Sequence, residues 1–256
     1  IYNSSTDAGI FYCINCTNVT VRDLNFTGNG QSVFFYKTNN SFITNNSFRE
    51  DSTSIYLISS YINNISDNTI EKSSNGIYLD SSNNNTLYHN SVSLSGCGLF
   101  LSSSNNNTVR LNTIQKNRRD ICRQYMASDA NNYSQNSFID NSIDAMTGLE
   151  GDTMNTILNE FNEFALNIYY PNGNACSSFS YNLSLSPSDT VHSAVSGTQI
   201  IGNFTLSRLG IYSAIINITD SENNNVLRKF KFIVNRSIDT TIFYFRDFFP
   251  SHTQPT

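Results

Sequence analysis

The sequence contains few charges and no long apolar segment. Only 14% of its 256 residues are charged and the net charge is −5, which argues against nucleic-acid binding because that function requires a basic face. No apolar run reaches the length of a membrane span, and the apolar residues show no helical spacing. We therefore expect no nucleic-acid partner, no membrane span and no helix of useful length.

A recognisable catalytic or metal-binding set is also missing. The three histidines, His89, His192 and His252, stand in unrelated contexts, whereas a copper site needs His, Met or Cys side chains that converge. Glycoside cleavage needs two carboxylates at a defined separation, and no Asp or Glu pair recurs on consecutive repeats. We therefore predict no catalytic residues, no metal and no cofactor, and hence a protein that is not an enzyme.

Charged residues gather in two short clusters. The densest cluster consists of Arg49, Glu50, Glu71 and Lys72. The second is basic and consists of Lys116, Arg118, Arg119 and Arg123. We interpret the former as surface ion pairs, which contribute little to stability, and the latter as a solvated loop or a subunit contact.

What the sequence does contain is a repeat of 22 residues. One apolar column consists of Phe26, Phe48, Ile70, Val92 and Ile114, and continues at Phe138 and Phe161 after spacings of 24 and 23 residues. A second consists of Val21, Ile43, Ile65, Leu87 and Val109, and a third of Ile10, Val33, Ile55, Ile77, Leu99 and Ile121. Fixed self-similarity at this period predicts a solenoid.

Each repeat has the pattern of three short strands separated by tight turns. Residues 76–79, 86–88 and 90–92 are short alternating stretches, and Asn, Ser, Asp and Gly lie between them. Three strands in 22 residues fit one rung of a parallel β-helix, in which every rung packs on a similar neighbour. We predict an all-β protein with about seven such rungs in residues 1–164.

A column of asparagines lies two residues ahead of the first apolar column. Its members are Asn46, Asn68, Asn90, Asn112 and Asn136. Asparagine tolerates the left-handed turn conformation, and amides stacked one rung apart can hydrogen-bond along the rod. Asparagine is also a common turn residue, but its recurrence at five places favours a structural Asn ladder. Neither explanation implies catalysis.

The repeat resembles those of known β-helix proteins. The sequence Gly-Ile-Tyr-Leu, followed by Asn-Asn-Asn-Thr-Leu and Asn-Ser-Val-Ser, is similar to the right-handed parallel β-helix repeats of the carbohydrate-binding and sugar-hydrolase type. Such repeats also occur in periplasmic copper-accessory proteins and in large surface proteins of methanogenic archaea. The resemblance covers roughly residues 5–164 and implies the fold, because the shared motif is the framework of turns and core. It carries the copper function to no residue of this chain.

Asn-x-Ser/Thr sequons are dense. Our glycosylation candidates are Asn18, Asn64, Asn84, Asn106, Asn132, Asn203 and Asn217. Asn18, Asn84 and Asn106 hold the same turn position, which would place sugars along one corner of the rod. The composition therefore predicts a glycosylated, extracellular protein of the cell envelope. The chain opens at Ile1 inside a rung and without a signal peptide, and we expect a mature or trimmed chain.

Five cysteines are candidates for cross-links: Cys13, Cys16, Cys97, Cys122 and Cys176. The Cys13-x-x-Cys16 motif lacks a second pair and a helix, so a zinc site is not expected. In the rung alignment, Cys97 and Cys122 are about three residues apart laterally, which is too far for a bridge without distortion. The odd number suggests disulfides between subunits in an oxidising compartment. Ordinary buried or free thiols are the alternative.

A second pattern begins where the repeat fades. Longer alternating segments predict an antiparallel β-sandwich over residues 165–245, followed by a C-terminal tail over residues 246–256. Residues 209–220 resemble the GxYxxxxxxxD strand of bacterial and archaeal surface immunoglobulin-like modules, which would make Tyr212 a corner tyrosine. The apolar segment 240–249 would be the last strand of its own domain, or a strand donated to a neighbour.

Two functions remain open, and we favour the first. It is a structural or adhesive cell-envelope glycoprotein that self-assembles into an extracellular layer, sheath or fibre, as in archaeal surface proteins. Its partners would be copies of itself and attached glycans, because a rod without a polar cap exposes strand edges that invite stacking. The second is a carbohydrate-binding or polysaccharide-degrading β-helix protein, suggested by fold analogy and by the surface aromatics Tyr56, Tyr61, Tyr78 and Tyr88.

Overall fold

The computed structural model describes residues 6–124, 131–139, 153–157, 159, 161–172 and 174–235, and every regular element in these ranges is a β-strand. The first nineteen strands wind into one coil. In chain order they are β1 (Thr6–Ala8), β2 (Phe11–Ile14), β3 (Thr20–Arg22), β4 (Leu24–Thr27), β5 (Gln31–Tyr36), β6 (Phe42–Thr44), β7 (Ser47–Arg49), β8 (Thr53–Ile58), β9 (Asn64–Ser66), β10 (Thr69–Glu71), β11 (Asn75–Asp80), β12 (Thr86–Tyr88), β13 (Ser91–Ser93), β14 (Cys97–Ser102), β15 (Thr108–Arg110), β16 (Thr113–Gln115), β17 (Arg119–Gln124), β18 (Asn132–Ser134) and β19 (Ser137–Ile139).

Every third strand belongs to the same parallel sheet, so the coil is a parallel β-solenoid with three sheets. The first sheet contains β1, β4, β7, β10, β13, β16 and β19, the second contains β2, β5, β8, β11, β14 and β17, and the third contains β3, β6, β9, β12, β15 and β18. Pairing follows the 22-residue period, since Ile70 lies between Phe48 and Val92. The predicted all-β solenoid is confirmed, with about six turns in the described residues.

The apolar columns fill the interior of the coil. Like side chains stack on like, and the rings of Phe26 and Phe48 are parallel with centroids 4.9 Å apart. The start of the third column differs from the prediction. Ile10 is 54% exposed, and Phe11 takes the position opposite Val33. The column therefore begins one residue later than the sequence spacing indicated.

Amide side chains line two of the turns inside the coil. In the Asn ladder, which runs through Asn46, Asn68, Asn90, Asn112 and Asn136, each Nδ2 donates to the Oδ1 of the next asparagine at 3.0–3.1 Å. A second ladder, not anticipated from the sequence, runs through Asn63, Asn85, Asn107 and Asn131, and joins each backbone N–H to the next Oδ1 at 2.8 Å. Both ladders give hydrogen-bond partners to buried backbone groups of the turns.

The remaining strands form two antiparallel groups. They are β20 (Thr153–Ile157), β21 (Phe161–Asn167), β22 (Phe179–Ser186), β23 (Val191–Ser196), β24 (Gln199–Thr205), β25 (Gly210–Asp220) and β26 (Asn225–Asn235). One sheet has the order β21-β24-β23, while β22, β25 and β26 pair in the other and β20 adds to β26 in parallel. The two groups pack together, since the rings of Phe204 and Phe232 lie 5.0 Å apart.

The C-terminal unit continues the solenoid instead of standing apart from it. Strand β26 pairs in parallel with β19, which places Val226 opposite Phe138. Asn136 Nδ2 donates to Asn224 Oδ1 at 2.9 Å, and Asn224 Nδ2 donates to the buried carboxylate of Asp220 at 3.0 Å. The Asn ladder therefore gains a sixth amide from a residue 88 positions further on and ends on a carboxylate.

This junction corrects two sequence-based expectations. Phe161 is 62% exposed in the antiparallel strand β21, so it does not begin a seventh rung. Asn224 and Val226 take that place because they repeat the Asn-x-apolar spacing of the earlier turns. The expected domain boundary at residue 164 falls inside β21, which pairs with β24 over its whole length. The tail 246–256 and the apolar segment 240–249 lie outside the described residues.

Tyr212 makes a contact of the tyrosine-corner type. Its side chain is buried, and its Oη accepts a hydrogen bond from the backbone N–H of Arg208, four residues earlier, at 3.1 Å. The hydroxyl also donates to Asp189 Oδ2 at 2.7 Å. A tyrosine that bonds back to the backbone upstream is a hallmark of immunoglobulin sandwiches, although other folds can contain the same contact.

Candidate functional site

The outward side of the second sheet is the most distinctive surface of the coil. In β5, Val33 and Phe35 are buried, whereas Phe34 and Tyr36 point outward, as the alternation of side chains along a strand requires. The strands are in register, so each outward position recurs one turn later; Phe34 lies opposite Tyr56. Any residue type that repeats at 22-residue spacing here becomes a continuous stripe.

Five consecutive turns place an aromatic ring in one such stripe. This aromatic column consists of Tyr12, Phe34, Tyr56, Tyr78 and Phe100. Successive ring centroids lie 5.2, 5.5, 4.6 and 4.4 Å apart. The central pair, Tyr56 and Tyr78, is stacked at 18°, and the other neighbours meet edge to face. These are the geometries that aromatic pairs prefer.

Neighbouring rings partly bury the two central tyrosines. Burial raises the pKa of Tyr56, and the neighbouring Tyr78 and Asp80 act in the same direction. Burial likewise raises the pKa of Tyr78, again helped by Asp80. Both phenols therefore stay protonated over the physiological pH range, and each offers a hydroxyl that can donate or accept a hydrogen bond.

Only part of this column was anticipated from the sequence. The structure brings Tyr56 and Tyr78 together, but it places Tyr61 between β8 and β9 and Tyr88 in β12 of the third sheet. The missed signal is the exact recurrence of aromatic residues at positions 12, 34, 56, 78 and 100. An outward column has the same period as a buried one, so the spacing alone did not separate it from the core.

Two disulfides lie within the chain. Cys13 bonds to Cys16, and Cys97 bonds to Cys122 with Cα atoms 6.1 Å apart. The lateral offset of Cys97 and Cys122 is present in the register, in which Phe100 lies opposite Cys122. The expectation that this offset prevents a bridge is wrong, because β14 bends at Gly98. A Cβ at Gly98 would lie 2.7 Å from the Asp120 carbonyl oxygen, so only glycine fits this inward bend.

The expectation of disulfides between subunits is therefore also corrected. Four of the five sulfurs are bonded inside the chain, and the remaining thiol, that of Cys176, is buried. Burial raises the pKa of the Cys176 thiol, which disfavours its reactive thiolate form. None of the five cysteines is thus presented as a surface thiolate.

The glycosylation candidates divide into two groups. Asn18, Asn84 and Asn106 are exposed at one corner with φ of 56–58°, and Asn132 is exposed in β18. Asn64, Asn203 and Asn217 are partly buried within strands, and the Asn217 Oδ1 accepts a hydrogen bond from Asn225. The geometry leaves the first group accessible to a transferase, and glycosylation itself stays a prediction.

The acidic-basic cluster consists of exposed ion pairs, as predicted. Arg49 lies 3.2 Å from Glu50 and 3.8 Å from Glu71, and Lys72 lies 3.7 Å from Glu50. All four side chains are about half exposed, so these pairs contribute little to stability. Their mutual neutralisation also leaves no carboxylate with a perturbed environment suited to acid catalysis.

Comparison with known proteins gives one match. A family model described as "Periplasmic copper-binding protein (NosD)" matches residues 1–180, which include the whole described solenoid. The chain belongs to the NosD family. No curated protein matches the sequence. The part of this NosD-family chain that the structure describes has no helix long and apolar enough to cross a membrane.

The described residues do not fit a copper ion, despite the family description. Copper is held by converging His, Met or Cys side chains, and nowhere in the described ranges do three His, Cys, Asp or Glu residues come together. His89 lies 2.8 Å from Asp67 but has no third candidate ligand beside it. The side chains of the three methionines, and all of His252, fall outside the described part.

Proposed function

We propose that this NosD-family chain is a non-enzymatic, carbohydrate-binding surface protein of the cell envelope. The carrying observation is the aromatic column, which runs unbroken over five turns of the second sheet. The family description is periplasmic, and this supports the extracytoplasmic location expected from the sequons and from the two intrachain disulfides.

The column has the chemistry that sugar rings recognise. One face of a pyranose presents C–H bonds, which pack favourably against the negative face of an aromatic ring. Tyr56 and Tyr78 add hydroxyls that stay protonated and can bond to sugar hydroxyls. Because the rings repeat with the turn of the solenoid, the column offers equivalent positions to successive units of a polymer. A linear polysaccharide is therefore the ligand that matches this surface.

A self-assembled envelope layer or fibre is the second candidate function. The aligned, exposed sequons Asn18, Asn84 and Asn106 favour it, because a glycosylated corner suits a surface subunit. Two earlier arguments for it no longer apply, since the cysteines are paired within the chain and β26 covers one edge of the first sheet. Electron microscopy of the protein at high concentration tests it, and ordered polymers would support it.

Affinity electrophoresis in gels that contain soluble polysaccharides tests carbohydrate binding. We expect retardation by at least one linear glycan, and loss of retardation in the Tyr56→Ala/Tyr78→Ala double variant. Tyr61→Ala/Tyr88→Ala is the matched control, because these two exposed tyrosines lie outside the column. The chain contains no tryptophan, so tyrosine fluorescence gives an independent binding signal. Equal retardation of both double variants would contradict the proposal, and release of new reducing ends would contradict its non-enzymatic part.

A further inference from the structure

A basic groove adjoins the last ring of the aromatic column. It has a volume of about 660 Å³ and is lined by Phe100 together with Lys72, Arg118 and Arg119. These cations come from three successive turns of the coil, because Lys72 precedes β11, the neighbouring β14 contributes Phe100, and Arg119 begins β17. The arginines belong to the basic cluster of the sequence, which the proposed function does not otherwise use.

A glycine opens the groove between these turns. Gly96 lies between Ser74 and Arg118 in successive turns, and its backbone N–H and carbonyl are both used in the ladder of backbone hydrogen bonds. A Cβ at Gly96 would lie 2.7 Å from the Ser74 carbonyl oxygen. The middle turn therefore has no side chain at this position, and its backbone forms part of the floor. The Cys97–Cys122 disulfide forms another part of that floor and ties two of the turns together.

The groove is positive in a chain that is negative overall. Its lining contains three cations and no Asp or Glu, while the whole chain has a net charge of −5. The nearest acidic partner is Glu50, which lies 3.7 Å from Lys72 in an exposed pair. Asp120 also lies next to Arg119 in the chain, but its carboxylate is buried and accepts the N–H of Ile121 at 2.6 Å. An anionic ligand would therefore meet a concentrated, unopposed field at Arg118 and Arg119.

We infer that this groove binds the acidic groups of a polysaccharide whose chain lies along the aromatic column. Phe100 is shared by the column and the groove, so one ligand can stack on the rings and place a carboxylate or sulfate beside the arginines. Guanidinium groups suit such anions because their planar donors bond two oxygens at once. The inference rests on the proposed function and specifies its ligand as an acidic polysaccharide.

Calorimetric titration with two matched probes tests this inference. The probes are hyaluronan oligosaccharides, which carry one carboxylate per disaccharide, and neutral cello-oligosaccharides of equal length. We expect the acidic probe to bind at least about tenfold more tightly in low salt, and Arg118→Gln/Arg119→Gln to remove most of that difference. Affinity for the neutral probe should not change. The matched control is Arg22→Gln/Arg110→Gln, which removes the same charge from the exposed third sheet.

The outcomes separate the inference from the proposed function. Equal affinity for both probes, or an equal loss in the control variant, would overturn the acidic ligand and leave carbohydrate binding intact. Acidic binding that survives in the Tyr56→Ala/Tyr78→Ala variant would overturn the role of the column and leave the groove as an independent anion site. Failure of the unaltered protein to bind either probe would count against both. Selective loss in the arginine variant alone supports the inference.

Discussion

The solenoid and the C-terminal sheets bury polar groups in different ways. In the solenoid, buried asparagines occupy the turns of successive repeats, and each amide bonds to its equivalent one turn away. In the C-terminal sheets, the long strand β25 alternates buried apolar and exposed polar positions, as at Ile216 and Ile218. The solenoid therefore depends on the register of polar columns, whereas the C-terminal sheets depend on apolar alternation across two packed layers.

Asn224 shows that the two modes are compatible. It lies in the turn of an antiparallel hairpin, yet its side chain makes the same four hydrogen bonds as a solenoid asparagine. The difference is its last acceptor, which is the carboxylate of Asp220 in place of another amide. A repeating polar column can thus be ended by a single acceptor that needs no further partner.

The largest effect is expected from Asn90→Ala, in the middle of the ladder. The substitution removes the acceptor of two Asn68 donors and the donor to the Ile65 carbonyl and Asn112 Oδ1. Leaving several buried polar groups without partners should lower the free energy of unfolding by about 3–5 kcal/mol. Urea unfolding followed by circular dichroism measures this loss.

Asn224→Ala makes the same deletion at the junction and sharpens the comparison. We expect a loss of similar size, together with faster amide hydrogen exchange in β26 but not in β11. If Asn224→Ala is neutral while Asn90→Ala is costly, the junction does not share the stability of the ladder. The C-terminal sheets would then be an independent unit that merely abuts the solenoid.

Reduction of the disulfides should weaken the solenoid selectively. The Cys97–Cys122 bond closes a loop of 25 residues and contributes about 3 kcal/mol in the chain-entropy description, and the short Cys13–Cys16 loop contributes less. Cys97→Ser/Cys122→Ser should therefore lower the melting temperature more than Cys13→Ser/Cys16→Ser, as scanning calorimetry can show. An equal change in both variants would rule out loop length as the deciding factor. Exchange in β22 to β25 should stay unchanged, because no described disulfide lies there.

The repetitive part of the fold could be predicted from the sequence because its information is local and redundant. Residues 22 apart are neighbours in space, so one period gives the strands, the core columns and the Asn ladder together. The junction has no such redundancy. Asn224 and Val226 repeat the local pattern once only, after an interval of 88 residues, and pairing over such a distance depends on the packing of the whole C-terminal unit.

The candidate site was only partly predictable for a related reason. The period places Tyr56 and Tyr78 in line, but whether a column faces inward or outward depends on where each strand bends. The bend at Gly98 likewise decided the Cys97–Cys122 bridge, because a straight strand would keep these residues apart. Single glycines that re-aim a strand are weak signals in a sequence, and they carry much of the surface geometry.

Tyr212→Phe probes the C-terminal sheets at a single buried hydroxyl. The substitution removes the donor to Asp189 and the acceptor of the Arg208 N–H, and should lower the free energy of unfolding by about 1–2 kcal/mol. The ring remains, so apolar packing is preserved. The effect should appear in urea unfolding of the C-terminal strands and not in exchange of the solenoid strands. A loss spread over both regions would contradict separate modes of stabilisation.

The same variant has an expected pH dependence. Hydrogen bonds from the Ser207 backbone N–H, the Tyr212 hydroxyl and the Ser207 hydroxyl lower the pKa of Asp189 below its ordinary value. A lowered carboxyl pKa stabilises the fold above the pKa of the unfolded chain, and this contribution disappears as the pH falls through the folded-state value. The difference between the unaltered protein and Tyr212→Phe should therefore shrink between pH 7 and pH 3. A difference that stays constant would show that Asp189 does not depend on this hydroxyl.

The smallest expected effect, and the only gain, concerns a corner of the solenoid. Ile62 has φ of 58° and is 60% exposed, while the same corner has asparagine at Asn40 and Asn84. A β-branched side chain is strained in the left-handed region, whereas asparagine enters it readily. Ile62→Asn should therefore raise the free energy of unfolding by about 1 kcal/mol in urea titration, and it creates no new sequon. Ile62→Val, which keeps the β-branch, should give no gain. An equal gain in both would mean that exposed apolar area, and not the backbone at this corner, limits the stability of the turn.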